Sequence, residues 1–183
     1  MGVRATPGSR GTGGATGAEA GQPVGAAARP TAVEPILRRP IGRDTAPLVE
    51  LYVRARRSYY EGHLPEAELV EWAEGLRAEG FDYDRPDRLW TCAEVGGVPA
   101  GFALVSFDGE LLQLQVDPPH WGTGVGRALH DAALDDLRGA DNTTAWLHVF
   151  APNARARAFY TRLGWRDVGP AEHDHRRMEL DLG

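Results

Sequence analysis

A glycine-rich stretch between a strand pattern and a helix pattern is the feature that most constrains this chain. Residues 110–116 form a strand candidate, and Gly122, Gly124 and Gly126 follow after a Pro-Pro turn. Apolar residues then recur at helical spacing up to residue 137, so the glycines lie at the start of a helix. The first N–H groups of a helix have no internal partner and attract anions, and glycine lets an anion approach the backbone. The stretch is a candidate pyrophosphate site, although the same glycines could form only a turn.

The spacing of the glycines differs from both common nucleotide-binding patterns. A P-loop carries Lys-Ser or Lys-Thr after its last glycine, where this chain has Arg127 and Ala128, and a dinucleotide fold uses G-x-G-x-x-G. The stretch instead resembles the motif Q/R-x-x-G-x-G/A of the GNAT superfamily of N-acetyltransferases. Gly124 and Gly126 match that motif, and Trp121 stands where it usually has Gln or Arg.

A second block strengthens this resemblance. Residues 153–165 are similar to the family's motif N-x-x-A-x-x-F-Y-x-x-x-G-F, and the two motifs come in the family's order. The resemblance covers roughly residues 35–182 and implies an acetyl-CoA-dependent N-acetyltransferase.

The segments around the motifs predict an α/β fold. Turn signals at residues 96–97 and 108–109 join three strand candidates into an antiparallel meander. A crossover helix over residues 124–137 before a strand at 145–150 implies a parallel pair. Together with the resemblance, this predicts a GNAT-like mixed, mostly antiparallel sheet flanked by helices, with one parallel strand pair around the CoA cleft.

Composition divides the chain into a tail and one domain. Residues 1–33 are rich in Gly and Ala without an apolar period, which predicts a disordered N-terminal tail, and residues 34–183 form the predicted acetyltransferase domain. A net charge of −6 argues against nucleic-acid binding by the overall field. We found no signal-peptide pattern and no apolar run that could span a bilayer, so we expect a cytoplasmic protein without a membrane partner.

Cysteine and histidine usage predicts no metal. The single cysteine, Cys92, excludes an internal disulfide and a Cys-based zinc site, and its apolar surroundings favour a buried core residue. The pair His173 and His175 lacks spaced partners, so we interpret it as solvated.

The resemblance implies acetyl-CoA as co-substrate and indicates where it would bind. The pyrophosphate would lie on the N–H groups from Gly122 to Arg127, and the pantetheine arm would pair with backbone near 114–116. Asn153 precedes a helix and shares a face with Ala156, although a helix cap alone would explain the asparagine. The expected acetyl-CoA contacts are Leu114, Gln115, Val116, Trp121, Gly122, Thr123, Gly124, Val125, Gly126, Arg127, Asn153 and Ala156.

Tyr160 is the candidate general acid that the resemblance implies. A phenol has a pKa of about 10 and a thiol about 8.5, so protonation of the departing thiolate is modestly uphill unless the site tunes it. The alternative is a tyrosine that packs on the core with its hydroxyl in water.

Glu110 is the candidate general base, because an amine acceptor arrives as ammonium and must lose a proton. Even spacing predicts that it shares a strand face with Leu112, Leu114 and Val116. The alternative is an exposed residue at a turn, with a water chain at His148 as the base.

In the GNAT fold, a helix–loop–helix such as the one predicted before residue 80 forms one wall of the acceptor site. Tyr59, Tyr60 and His63 are therefore candidate acceptor contacts, together with Gln113 and His148. Packing of the tyrosines and solvation of His63 are the alternatives. The expected acceptor is a small-molecule or peptide amine, and a homodimer is possible.

The function we favour from the sequence is transfer of an acetyl group from acetyl-CoA to a primary amine by direct attack in a ternary complex. No Cys or Ser with a paired base stands out as a nucleophile. Two alternatives stay open: a non-catalytic acyl-CoA-binding or regulatory module on the same fold, and a structural domain whose glycines only form turns.

Overall fold

The computed structural model describes residues 34–183, so the tail predicted for residues 1–33 lies outside the described residues. The elements in chain order are β1 (Ile36–Arg38), α1 (Thr45–Tyr60), α2 (Glu66–Glu79), β2 (Arg88–Val95), β3 (Val98–Ser106), β4 (Leu111–Val116), α3 (Val125–Gly139), β5 (Thr144–Phe150), α4 (Ala154–Arg162), β6 (Arg166–Pro170) and β7 (His175–Asp181). They form a four-stranded antiparallel sheet in the order β1-β2-β3-β4 and a three-stranded antiparallel sheet in the order β5-β7-β6.

Helices cover both faces of the first sheet. The apolar face of α3 is buried against β2, β3 and β4, in a core that continues through α4 to the second sheet. Helices α1 and α2 pack on the opposite face, around Tyr52 and Phe102. Cys92 is fully buried in this second cluster, which confirms its interpretation as a core residue. Within residues 34–183, no helix has both the length and the apolar character needed to cross a bilayer.

Strand β4 contains a bulge that the sequence pattern did not predict. Val105 lies opposite Leu111, whereas the preceding residue Leu104 lies opposite Gln113. Leu112 is therefore an extra residue on β4 without a counterpart on β3. A bulge bends its strand and increases the local twist, so it turns the start of β4 away from the regular sheet.

The bulge changes which side chains share a face. Leu112 packs with α1 and α2, whereas Leu114 and Val116 pack with α3 and α4. The expectation that Glu110, Leu112, Leu114 and Val116 lie on one face is therefore wrong, because an extra residue reverses the alternation on one side of it.

The two sheets meet at the start of β4. A single parallel bridge joins Glu110 and Trp146, and the Trp146 N–H donates to the Gly109 carbonyl at 3.0 Å. Within residues 34–183 no further pairing connects β4 and β5, so the predicted parallel pair is reduced to this bridge, and a cleft lies between the two strands. The predicted mixed, mostly antiparallel sheet flanked by helices is confirmed.

Candidate active site

The cleft between β4 and β5 brings most of the predicted site residues together. It is lined by residues 111–116 of β4, residues 148–150 of β5, the glycine turn, the start of α4 and the end of α1. No Asp or Glu is among the described residues that line it, although the chain as a whole carries a net charge of −6. The basic lining residues are Arg56, Arg127, Arg155, Arg162, His120, His148 and His175. An anionic ligand therefore fits this cleft better than a cationic one.

The glycine turn lies at the cleft end of α3. Gly122 and Gly124 have φ angles of 77° and 104°, which glycine adopts without a steric penalty. Together with Gly126 they line the cleft, so the first N–H groups of α3 are open to a ligand. Thr123 and Val125 are buried and do not line the cleft, so only their backbone could contact a ligand. The turn therefore has the geometry of a helix N-terminal anion site.

Helix α4 presents the second motif to the same cleft. The Asn153 side chain accepts a hydrogen bond from the Ala156 N–H at 3.1 Å, which confirms the cap, and both residues also line the cleft. Tyr160 lies two turns along, with its ring held edge-on by Phe159 and Trp165 at centroid distances of 5.3 and 5.6 Å. Its hydroxyl has no hydrogen-bond partner within residues 34–183, and burial raises the pKa of Tyr160 above 10.0.

Glu110 lies at the edge of the cleft and is not part of its lining. Burial, followed by the nearby Asp108 carboxylate, raises the pKa of Glu110 above 4.5. His148 does line the cleft, and its Nδ1 is 4.0 Å from Glu110 Oε1. Burial and the nearby Arg177 lower the pKa of His148 below 6.5. The neutral imidazole thus lies between the cleft and a carboxylate whose basicity is increased.

The aromatic residues at the end of α1 form one wall of the cleft. Tyr59 and Tyr60 stack at 4.8 Å, and Tyr60 also packs on Phe150 at 4.5 Å. Gln113 lies on the strand opposite this wall and lines the cleft as predicted. His63 is exposed and does not line the cleft; its ring packs edge-on against Phe150 instead.

His175 is a cleft residue that the sequence analysis interpreted as solvated. Its Nδ1 lies 2.7 Å from the His173 carbonyl, which can only accept, so Nδ1 carries the proton. Its Nε2 then accepts from the Tyr60 hydroxyl at 3.3 Å. His173 is exposed as expected. Within residues 34–183 no group of three or more His, Cys, Asp or Glu side chains could hold a metal ion.

Three arginines of the cleft, Arg56, Arg155 and Arg162, were also not among the predicted contacts, and two of them lie over aromatic rings. The Arg56 guanidinium lies between the rings of Tyr60 and Trp72, at 4.7 and 4.3 Å from their centroids. The Arg155 guanidinium lies 3.1 Å from the centroid of the Trp121 ring. The contact of Arg56 with Tyr60 is an i,i+4 pair within α1. The contacts of Arg56 with Trp72 and of Arg155 with Trp121 join residues of different elements, so they have no local sequence signal.

The amino-acid sequence of this chain matches a known protein family. Residues 48–165 match the acetyltransferase (GNAT) family, and the chain belongs to that family. The membership predicted from the two motifs is therefore confirmed.

The individual relatives align with only part of this chain. The mycothiol acetyltransferase of Beutenbergia cavernae is 39% identical over 104 residues, which are 52% of this chain and 34% of that protein. The ribosomal protein bS18-alanine N-acetyltransferase of Escherichia coli is 36% identical over 75 residues, which are 39% of this chain and 51% of that protein. The chain thus spans about half, or less, of the length of these relatives.

A solved structure shares the fold over nearly its whole length. The PaiA N-acetyltransferase from Thermoplasma acidophilum, solved in complex with coenzyme A, superposes with a TM-score of 0.72 at 18% sequence identity. The match covers 81% of this chain and 99% of that chain. At this identity the comparison supports the fold alone.

Proposed function

We propose that this protein is an N-acetyltransferase that moves an acetyl group from acetyl-CoA to a primary amine by direct attack in a ternary complex. The observation that carries the proposal is that the glycine turn, the edge of β4 and Tyr160 all border one cleft. Family membership supports the reaction class, and acetyl-CoA is the donor that the resemblance to this family implies.

The cleft offers a separate group for each part of acetyl-CoA. The N–H groups from Gly122 to Arg127 would hold the pyrophosphate. The edge of β4 from Leu114 to Val116 has no strand partner towards β5. Apart from the Val116 carbonyl, which accepts from the Trp121 indole, its outward backbone groups can pair with the amides of the pantetheine arm. In this proposal the thioester would lie between the two strands, near Tyr160.

Direct attack fits the composition of the cleft. Among the described lining residues there is no Ser, Thr or Cys that could carry an acyl group, and Cys92 is buried in the core. The amine nitrogen would form a bond to the acetyl carbon, while the carbon–sulfur bond breaks. Glu110, through His148 or water, would take the proton that the ammonium must lose before attack. Tyr160 would donate its proton to the departing sulfur, and the second proton that the nitrogen loses as the amide forms would restore the phenol.

The acceptor is proposed as a primary amine without further specification. The relatives' names include mycothiol and a ribosomal-protein alanine, so they do not favour one acceptor. The acidic helix α2 does not line the cleft, so its glutamates give no reason to expect a cationic acceptor.

Two measurements test the proposal. Calorimetry with coenzyme A measures binding, and release of free thiol from acetyl-CoA with a panel of amines measures transfer. Binding with amine-dependent thiol release is the expected result. Binding without release from any amine would favour the non-catalytic acyl-CoA-binding module, and no binding would leave the glycines as turns only.

A further inference from the structure

An arginine from α4 lies over the ring of the residue that precedes the glycine turn. The Arg155 Cζ is 3.1 Å from the centroid of the Trp121 ring. The Trp121 Nε1–H donates to the Val116 carbonyl at 2.8 Å, which fixes the indole directly before Gly122. The guanidinium is therefore held beside the turn by a ring that is itself anchored to β4.

Arg155 has no carboxylate within 4 Å in residues 34–183, in contrast to other arginines of the same region. Arg127 forms an ion pair with Asp131 at 2.7 Å. Arg157, two residues further along α4, lies 3.8 Å from Asp167 and does not line the cleft.

The only polar side-chain contact of Arg155 in the described part of the chain is a long one, at 3.5 Å to the Ser58 hydroxyl. The residue is exposed, yet desolvation of its guanidinium lowers the pKa of Arg155 from its ordinary value. A cation that has lost some hydration and has no counter-ion is well placed to accept a bound anion.

We propose that Arg155, held on the Trp121 ring, binds a phosphate group of coenzyme A beside the N–H groups of the glycine turn. This inference rests on the acetyl-CoA function proposed above. Stacking uses the face of the guanidinium and leaves its in-plane N–H groups free, and these match two phosphate oxygens. Both the diphosphate and the 3′-phosphate of coenzyme A have this chemistry, and the experiment below distinguishes them.

The proposal also accounts for the departure at Trp121. This position carries Gln or Arg in the motif that the chain resembles, and here it carries a ring. In the structure the Trp121 ring holds the guanidinium of Arg155, which comes from α4, at this position. In our proposal Arg155 therefore provides the polar group that Trp121 itself lacks.

The test is calorimetric titration of the full chain with coenzyme A and with dephospho-coenzyme A. Arg155→Ala retains a strong helix former and breaks no ion pair, so it should fold like the wild type. We expect it to weaken coenzyme A binding by about 10- to 100-fold, the size of one or two charge-assisted hydrogen bonds. The matched control is Arg157→Ala, which removes the same charge from the same helix and should change affinity by less than about threefold.

The two ligands identify the phosphate. An equal loss for coenzyme A and dephospho-coenzyme A assigns Arg155 to the diphosphate, and a loss seen only with coenzyme A assigns it to the 3′-phosphate. Equal coenzyme A affinity in Arg155→Ala and the wild type would overturn the inference, and so would an equal loss in Arg157→Ala. Failure of the wild type to bind coenzyme A would instead refute the proposed function.

A double-mutant cycle tests the role of the ring. Trp121→Leu should lose part of the affinity in the wild-type background and much less when Arg155 is already Ala, because the ring acts through the guanidinium. Fully additive losses in folded variants would show that Trp121 does not hold Arg155 in its binding position.

Discussion

Replacing Tyr160 with Phe should change turnover and stability in opposite directions. The hydroxyl makes no hydrogen bond within residues 34–183, and the ring is held by Phe159 and Trp165, so the change leaves the packing intact. We therefore expect a melting temperature equal to or above that of the wild type, since no protein hydrogen bond is lost.

The loss of turnover can be estimated from the contact that the hydroxyl would make. Burial raises the pKa of Tyr160 above 10.0, so the phenol stays protonated at neutral pH and can donate to the departing sulfur. A hydrogen bond to a charged group contributes about 1.5–3 kcal/mol, which corresponds to roughly 10- to 150-fold in rate. Proton transfer adds to this, so turnover should fall by about 100-fold or more, while acetyl-CoA affinity stays within a few-fold.

The assay is steady-state thiol release with saturating acetyl-CoA and acceptor, combined with calorimetry for binding. Tyr83→Phe is the matched control, because the Tyr83 hydroxyl contacts Thr45 at 3.3 Å and lies outside the cleft. Its turnover should equal that of the wild type. Wild-type turnover in Tyr160→Phe, with chemistry shown to be rate-limiting, would remove Tyr160 from the mechanism, and weaker binding with unchanged turnover would assign it to substrate binding.

Three further predictions follow from the geometry. Gly124→Ala should weaken coenzyme A binding by about tenfold or more, because this residue borders the cleft at a φ angle of 104°, which disfavours a side chain. Gly126→Ala is its control: the new Cβ meets Val116 at an ordinary 3.5 Å, and the motif that the chain resembles accepts Ala here, so calorimetric affinity should change by less than about threefold. The value of kcat/KM should fall as pH drops through the raised pKa of Glu110. Glu110→Gln should remove this acid limb and lower turnover by about 10- to 100-fold. The same pH profile in Glu110→Gln and the wild type would exclude Glu110 as the base. Burial lowers the pKa of His130, and its Nε2 accepts from the Trp165 indole at 2.9 Å. The folded state therefore favours the neutral imidazole. This stabilisation is fully present above the unfolded pKa of about 6.5 and is lost as the pH falls from there through the lowered pKa of the folded state. The wild-type melting temperature should therefore drop below that pH, and less so in the non-titrating His130→Gln; equal slopes in both would contradict this.

The parts of the site that the sequence predicted are those set by local rules. The glycine turn depends on φ angles that glycine adopts easily and on N–H groups that every helix leaves free. The Asn153 cap and the common face of Ala156 and Tyr160 follow from helical periodicity within one element. These features need no knowledge of the neighbouring strands, so the two motifs were enough to predict them.

The parts that the sequence did not predict depend on how elements meet. The bulge at Leu112 is a property of the register between β3 and β4, and no residue pattern within β4 marks it. Arg155 on Trp121 and His175 at Tyr60 likewise join residues that are far apart in the sequence. Glu110 was assigned to the face of Leu114 and Val116 for the same reason. The face on which its side chain lies depends on the extra residue Leu112, which is evident only from the pairing with β3.

The short pairing between β4 and β5 is the feature of the fold on which the proposed chemistry depends. If β4 and β5 paired along their whole length, their backbone groups would satisfy each other and no cleft would separate them. The pairing instead ends at the bridge between Glu110 and Trp146, so the remaining edge of β4 has N–H and C=O groups without strand partners. Unsatisfied backbone groups in a buried place are costly, by about 1–3 kcal/mol each, unless water or a ligand pairs with them. An extended ligand with its own amides can supply that pairing, so the unpaired edge of β4 favours a pantetheine arm between the two sheets.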